Sequence, residues 1–126
     1  MTELPMAAFR EEMGDLLADL ESALLDLEGM PDDGELIGRI FRALHTIKGT
    51  SAMFGLDTVA TFTHEVESVF ECVRNGELAV DESLVKLLLM AQDHIGVLLA
   101  AEGGEDEAAG AGAHIVAELK SRLAPA

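Results

Sequence analysis

The segment His45-Thr46-Ile47-Lys48-Gly49-Thr50-Ser51-Ala52-Met53-Phe54-Gly55 decides the fold and points to the chemistry. Arg39 and Arg42 lie just before it. With Lys48, three of the eight basic residues therefore fall within ten positions of a chain whose formal net charge is -16. At helical spacing Arg42, His45 and Lys48 share one face, while Ile40, Phe41, Leu44 and Ile47 take the other. The result is a helix with one side made for burial and a cationic stripe, centred on a histidine, along its outside. Gly49 sits within this helix, where glycine costs about 1 kcal/mol relative to alanine. Open space beside the imidazole or close packing of a neighbouring helix would each account for it.

Outward from this segment the chain reads as helices separated by clear stops. Asp32 or Asp33 can cap the helix that carries His45, predicted over about residues 34–53 and closed by Phe54-Gly55. Asp57 is the expected N-cap of the next helix, about 58–75. Its inner face is Val59, Phe62, Val66, Val69, Phe70 and Val73, its outer side His64, Glu67 and Glu71, and its stop Asn75-Gly76. Upstream, Pro5 suits a first turn, and Phe9, Met13, Leu16, Leu17, Leu20, Leu24 and Leu27 predict a helix over about 5–28, ended by Gly29-Met30-Pro31. Downstream, Asp81 caps a helix over about 82–101 with a broad apolar face, and Gly103-Gly104 breaks it. Ile115, Val116, Leu119 and Leu123 mark a shorter fifth helix over about 107–123. The expected fold is all-α, an antiparallel four-helix bundle with an appended fifth C-terminal helix, forming a single domain over 1–126.

Composition narrows the function. Hydrophobic residues make up 49% of the 126, too many for a disordered acidic tail, and the aromatic 4% is all Phe. Residues 1–33 hold ten acids against one base, Arg10, so the first helix presents a negative surface. Without Trp or Tyr as stacking platforms, a chain this acidic is not expected to bind nucleic acid. Anionic membrane surfaces are disfavoured for the same reason. The apolar run Leu84–Met90, interrupted by Lys86, is too short to span a bilayer, and the N-terminus does not read as a signal peptide. Cys72, the one cysteine, has no partner for an internal disulfide and no cationic neighbour in sequence to activate it. The expectation is a cytoplasmic domain.

If the helices on either side of Phe54-Gly55 form an antiparallel hairpin, His45 lies level with His64, and Glu67 stands one turn further on. His45, Lys48, His64 and Glu67 then become neighbours on the solvent side of one helix pair. Such a group suits phosphoryl transfer. An unperturbed imidazole titrates near 6.5 and offers a nucleophilic nitrogen near neutral pH. A carboxylate on its other nitrogen fixes the tautomer and stabilises the cation formed on attack, and a lysine one turn away neutralises phosphoryl oxygens. Nothing in the chain resembles a nucleotide-binding loop or a magnesium carboxylate cluster, so any donor must come from elsewhere. Metal binding is the chemical rival. However, His64-Glu65-Val66-Glu67-Ser68 has serine where a zinc-ligating His-Glu-x-x-His helix needs its second histidine. No metal is expected, although the same register brings His94 towards the level of His64 and leaves His114 unplaced.

The His45–Gly55 segment resembles the signature of histidine-containing phosphotransfer (HPt) domains, and is most similar to the P1 domains of bacterial chemotaxis histidine kinases. The resemblance is sharp over about residues 37–80. It implies that His45 is the phosphorylated residue, Glu67 its orienting carboxylate, and Lys48, His64 and Gly49 its supporting residues. Arg42, Phe41 and Thr46 are candidate partner contacts. It implies a phosphoryl carrier rather than a complete enzyme, cut from or paired with a histidine protein kinase. The partners implied are an ATP-binding kinase domain, acting in cis or in trans, and the receiver domain of a CheY- or CheB-like response regulator. No cofactor is expected on this domain, with ATP and Mg2+ on the partners. The alternative is a helical docking module that binds a receiver without exchanging phosphoryl groups.

Overall fold

A computed structural model describes residues 6–101 and 106–123 of the chain. They form five helices: α1 (Met6–Gly29), α2 (Gly34–Met53), α3 (Asp57–Arg74), α4 (Glu82–Ala100) and α5 (Asp106–Ser121). The ends agree with the expected ones to within two residues, and those of α2 coincide. The expected roles of Pro5 and of Gly103-Gly104 lie outside the described residues. Neighbouring contacts run α1–α2, α2–α3, α3–α4 and α4–α1, closing a ring, and α5 packs outside it against α3 and α4. Short connections between successive members make the four-helix bundle antiparallel.

Apolar periodicity explains the core. Phe9, Met13, Leu20, Leu24 and Leu27 of α1 meet Ile40, Leu44 and Ile47 of α2, Val59, Val66, Val69 and Phe70 of α3, and Leu84, Leu88, Ile95 and Leu98 of α4, all buried. The helix α4 is long and apolar enough for a membrane span by length and composition alone. Its buried residues Leu84, Val85, Leu87, Leu88, Ala91, Ile95 and Leu98 instead make it a core helix of the bundle. On α5 Ile115 and Leu119 complete the seal. His94, expected near His64, points elsewhere. It is buried edge-on against Phe62, ring centroids 4.9 Å apart. A β-carbon at Gly112 of α5 would come within 2.9 Å of its Nε2, so only glycine lets α5 pack this closely. His114 is exposed on the same helix.

Local chemistry sets the helix ends. Asp33 accepts hydrogen bonds from the Glu35 and Leu36 amides at 2.9 and 3.1 Å, and Asp81 accepts one from the Leu84 amide at 2.7 Å. Asp57 is no cap. The N-cap of α3 is Leu56, without a side-chain hydrogen bond, and Asp57 is a first-turn acid. The chain cannot place Asp57 earlier because the turn before it is already committed. The Gly55 amide bonds to the Ala52 carbonyl at 3.0 Å and the Leu56 amide to the Ser51 carbonyl at 2.9 Å, with Gly55 at φ +79°. This is a Schellman turn, which satisfies the last carbonyls of α2 and needs a left-handed residue. Gly76, also at φ +79°, ends α3 in the same way, its own amide bonding to Val73 and that of Glu77 to Cys72. Phe54, at the α2 end, stacks on Phe9 of α1 at 4.3 Å, which ties the α2–α3 turn to the core. Replacing Gly55 with alanine forces a β-carbon into the left-handed region and is expected to lower stability by about 1–2 kcal/mol. Urea unfolding of the two proteins measures this, and an unchanged midpoint would mean that the turn does not hold the hairpin.

Candidate functional site

The α2–α3 hairpin brings its polar side chains to a single carboxylate. Glu67 is 5% exposed and sits between the helices. Its Oε2 lies 2.7 Å from His45 Nδ1, and its Oε1 accepts a hydrogen bond from Lys48 Nζ at 2.6 Å. The sequence reading put Glu67 on the solvent side of α3. It lies instead on the flank facing α2, one turn beyond the buried Thr63. His45 reaches Glu67 as expected, three residues beyond the level position on α3, while His64 Nδ1 stands 3.8 Å from Glu67 Oε1, beyond hydrogen-bond range. The offset comes from the direction of the side chains. On every α-helix they lean towards the N-terminus, so in an antiparallel pair the two leans are opposite and add. A residue on α2 therefore meets one about a turn further along α3 than level Cα atoms suggest.

The electrostatics of the site follow from this burial. Removal from water pushes the Glu67 carboxyl up. The hydrogen bonds from Lys48 and His45, and their charges, outweigh that and hold it below the usual carboxylate value. An ionised carboxylate only accepts, so the hydrogen of the His45–Glu67 bond belongs to Nδ1. In the neutral ring this leaves a free lone pair on Nε2. The His45 side chain is 65% exposed, against 26% for Lys48 and 7% for Glu67. The ring thus stands in solvent above a buried carboxylate. Lys48 was expected to face incoming phosphoryl oxygens, and here it is bound to Glu67.

The remaining predicted residues separate clearly. A β-carbon on Gly49 would meet nothing within 4 Å. Close helix packing therefore does not explain this glycine. Phe41 packs half-buried against the core with its ring nearly parallel to the His45 ring, centroids 6.4 Å apart and planes 11° apart. Thr46 is exposed beside His45. Arg42 turns away: its Nη1 lies next to Gly38, a turn back along α2. Arg39 pairs with Asp19 of α1 through two hydrogen bonds. Burial, then Glu77 and Glu71, push the half-buried Cys72 thiol up, against a reactive thiolate. Among the described residues no three His, Cys, Asp or Glu side chains converge as metal ligands. One residue at the site was missed by the sequence reading. Arg74, at the end of α3, places its guanidinium 4.0 Å above the Phe41 ring centroid. The offset that pairs Lys48 with Glu67 also pairs Phe41 with Arg74, so a corrected register would have found it.

Comparison with known proteins agrees with this geometry. The family model of the Hpt domain matches residues 6–101, the whole four-helix bundle. The chain belongs to the Hpt domain family. This Hpt domain is 37% identical over 125 residues to the chemotaxis protein CheA of Listeria monocytogenes, covering 99% of the chain and 20% of that protein. It is 40% identical over 95 residues to CheA of Borreliella burgdorferi, covering 75% of the chain and 11% of the relative. The chain thus spans about a fifth or less of the length of these relatives. Among solved structures it resembles the solution structure of the histidine phosphotransfer domain of CheA, with TM-score 0.83 and 29% identity over 100% of this chain and 96% of that one. It also resembles the phosphorylated P1 domain of CheA3 in complex with CheY6 from R. sphaeroides, with TM-score 0.80 and 26% identity over 94% of each chain.

Because Glu67 keeps its charge to lower pH in the folded state than in the unfolded chain, the unfolded state binds more protons between the two values, and stability rises with pH there. The contribution is complete above the ordinary carboxylate range, roughly 4.3, and is lost as pH falls through the lowered value. Glu67→Gln should therefore be less stable than wild type at neutral pH, with the gap closing in acid, as urea unfolding at several pH values would show. A gap independent of pH would contradict the ion-paired carboxylate.

Proposed function

We propose that this Hpt domain carries a phosphoryl group on Nε2 of His45, received from an ATP-binding kinase domain and passed to an aspartate of a response-regulator receiver. The observation that carries the reading is the His45 Nδ1–Glu67 bond at 2.7 Å beneath a largely exposed imidazole. In the first step the Nε2 lone pair attacks the transferred phosphorus, an N–P bond forms, and the bond to the leaving oxygen breaks. Positive charge then develops on the ring, and the Glu67 carboxylate stabilises it through the Nδ1 hydrogen. In the second step the receiver's aspartate oxygen attacks phosphorus, and the N–P electron pair returns to Nε2. Lys48 keeps Glu67 ionised and aimed, and Gly49 leaves room for the phosphoryl group and the incoming partner.

ATP and Mg2+ belong to the partners, and the domain itself needs no cofactor. The likeness to CheA proteins supports a chemotaxis-type, cytoplasmic two-component pathway, with a CheY- or CheB-like receiver and a kinase that supplies the phosphoryl group in cis or in trans. A unit of 1–126 is supported by α5, which packs on α3 and α4 through buried Ile115 and Leu119. A docking module without transfer would need neither the His45 nucleophile nor the buried carboxylate beneath it.

Phosphoramidate labelling followed by mass mapping under non-acidic conditions tests the acceptor. His45→Gln is expected to lose the label while keeping its helicity and, to within about 1 kcal/mol, its stability, because the ring is exposed. Glu67→Ala should label about 10- to 100-fold more slowly without losing the site, since it orients rather than attacks. Retained label in the Gln variant, or a wild-type rate in the Ala variant, would overturn the respective role.

A further inference from the structure

Arg74 is the cation that the fold keeps ready beside His45. Among the described residues Arg39 pairs with Asp19, Lys48 with Glu67 and Lys120 with Glu65, so their charges are largely spent within the chain. Arg74 instead lies over the Phe41 ring on the neighbouring helix, and that ring lies alongside the imidazole. A basic residue in the last turn of a helix favours its own C-terminus. That need would be met by a side chain lying over the α3 carbonyls. The guanidinium reaches across to α2, where the ring face holds it by a cation–π contact.

The geometry points to Arg74 as a recognition residue for the carboxylate-rich acceptor face of the receiver, an inference that rests on the phosphoryl-carrier reading above. A partner that accepts phosphoryl on an aspartate, and holds Mg2+ with further carboxylates, is acidic at the point of contact. This chain carries a net charge of -16 and gains more negative charge once His45 is phosphorylated, so the two surfaces would repel. An exposed arginine one ring away from the acceptor offsets that repulsion where the surfaces meet. Because Phe41 already orders the guanidinium, less side-chain freedom is lost on binding. Arg42, folded back over Gly38, is not held in this way.

The test uses the whole 126-residue chain, labelled with phosphoramidate, and a CheY-type receiver from the same genome. Transfer is measured against receiver concentration for wild type, Arg74→Gln, Arg74→Lys and Lys86→Gln. Lys86→Gln removes the same unit of charge from α4, a helix not packed against α2. Arg74→Gln should raise the KM for receiver roughly five- to tenfold at low salt. Its maximal transfer rate and its own labelling should match wild type, and the KM difference should shrink as salt is added. Arg74→Lys should recover part of the loss, and Lys86→Gln should match wild type. An unchanged KM in Arg74→Gln overturns the inference, as does an equal shift in Lys86→Gln. A lower maximal rate with KM unmoved would place the arginine on the phosphoryl group instead, and a lower melting midpoint alone would assign it to the bundle. Titration of receiver into the unlabelled proteins judges Arg74 separately: weaker binding by Arg74→Gln supports the inference even if wild-type His45 takes no label, an outcome that would defeat only the carrier reading.

Discussion

One buried carboxylate governs the site. Glu67, closed in between α2 and α3, would be costly there as a bare charge. It is kept ionised by Lys48 on one oxygen and His45 on the other. Each partner gains from the arrangement. The imidazole acquires a fixed tautomer and a fixed direction, and the lysine holds its position half out of water. The carboxylate sits at the margin of the core: Val66 and Phe70 on its own helix and Leu44 and Ile47 on α2 are all buried. The polar network is small, and its histidine end is outside.

The hairpin that builds this network is set by its turn. Two backbone hydrogen bonds around Gly55 fix how α3 leaves α2, and Phe54 stacked on Phe9 anchors the corner to α1. With the corner fixed, register follows along the pair, so that His45 meets Glu67 and, a turn on the far side, Phe41 meets Arg74. His45 is thus carried on a helix rather than on a loop, which would suit the phosphoryl carrier proposed above, since such a group must be presented in one geometry. The helix α5 plays no part in that geometry. It covers α3 and α4 on the far side, and the family's own match ends before it.

Much of this was legible in the sequence. Helical periodicity identified the five helices, Asp33 and Asp81 announced their caps, and Gly55 and Gly76 announced the stops. The spacing of His45, Lys48 and Glu67 brought the right residues to one place. What the pattern could not supply was depth. Glu67 reads as a surface acid because charged residues are seldom buried, and only its two partners make burial tolerable. Level counting across the turn ignored the opposite lean of side chains on antiparallel helices, so Arg74, which reaches Phe41, escaped notice. His94, counted towards the level of His64, is instead buried against Phe62. The space left by Gly112, which lets α5 close over it, depends on a contact between helices far apart in sequence.

The central claim is that Glu67 holds His45 with its hydrogen on Nδ1, leaving Nε2 free to attack phosphorus. Long-range 15N–1H correlation NMR of the uniformly labelled protein, at a pH where the ring is neutral, reads this tautomer directly. The account predicts a protonated, pyrrole-type Nδ1 and a pyridine-type Nε2 at His45, with that preference relaxed in Glu67→Gln. A dominant Nε2–H form in the wild-type protein would contradict it, since the nitrogen facing solvent would then carry a hydrogen in place of the lone pair.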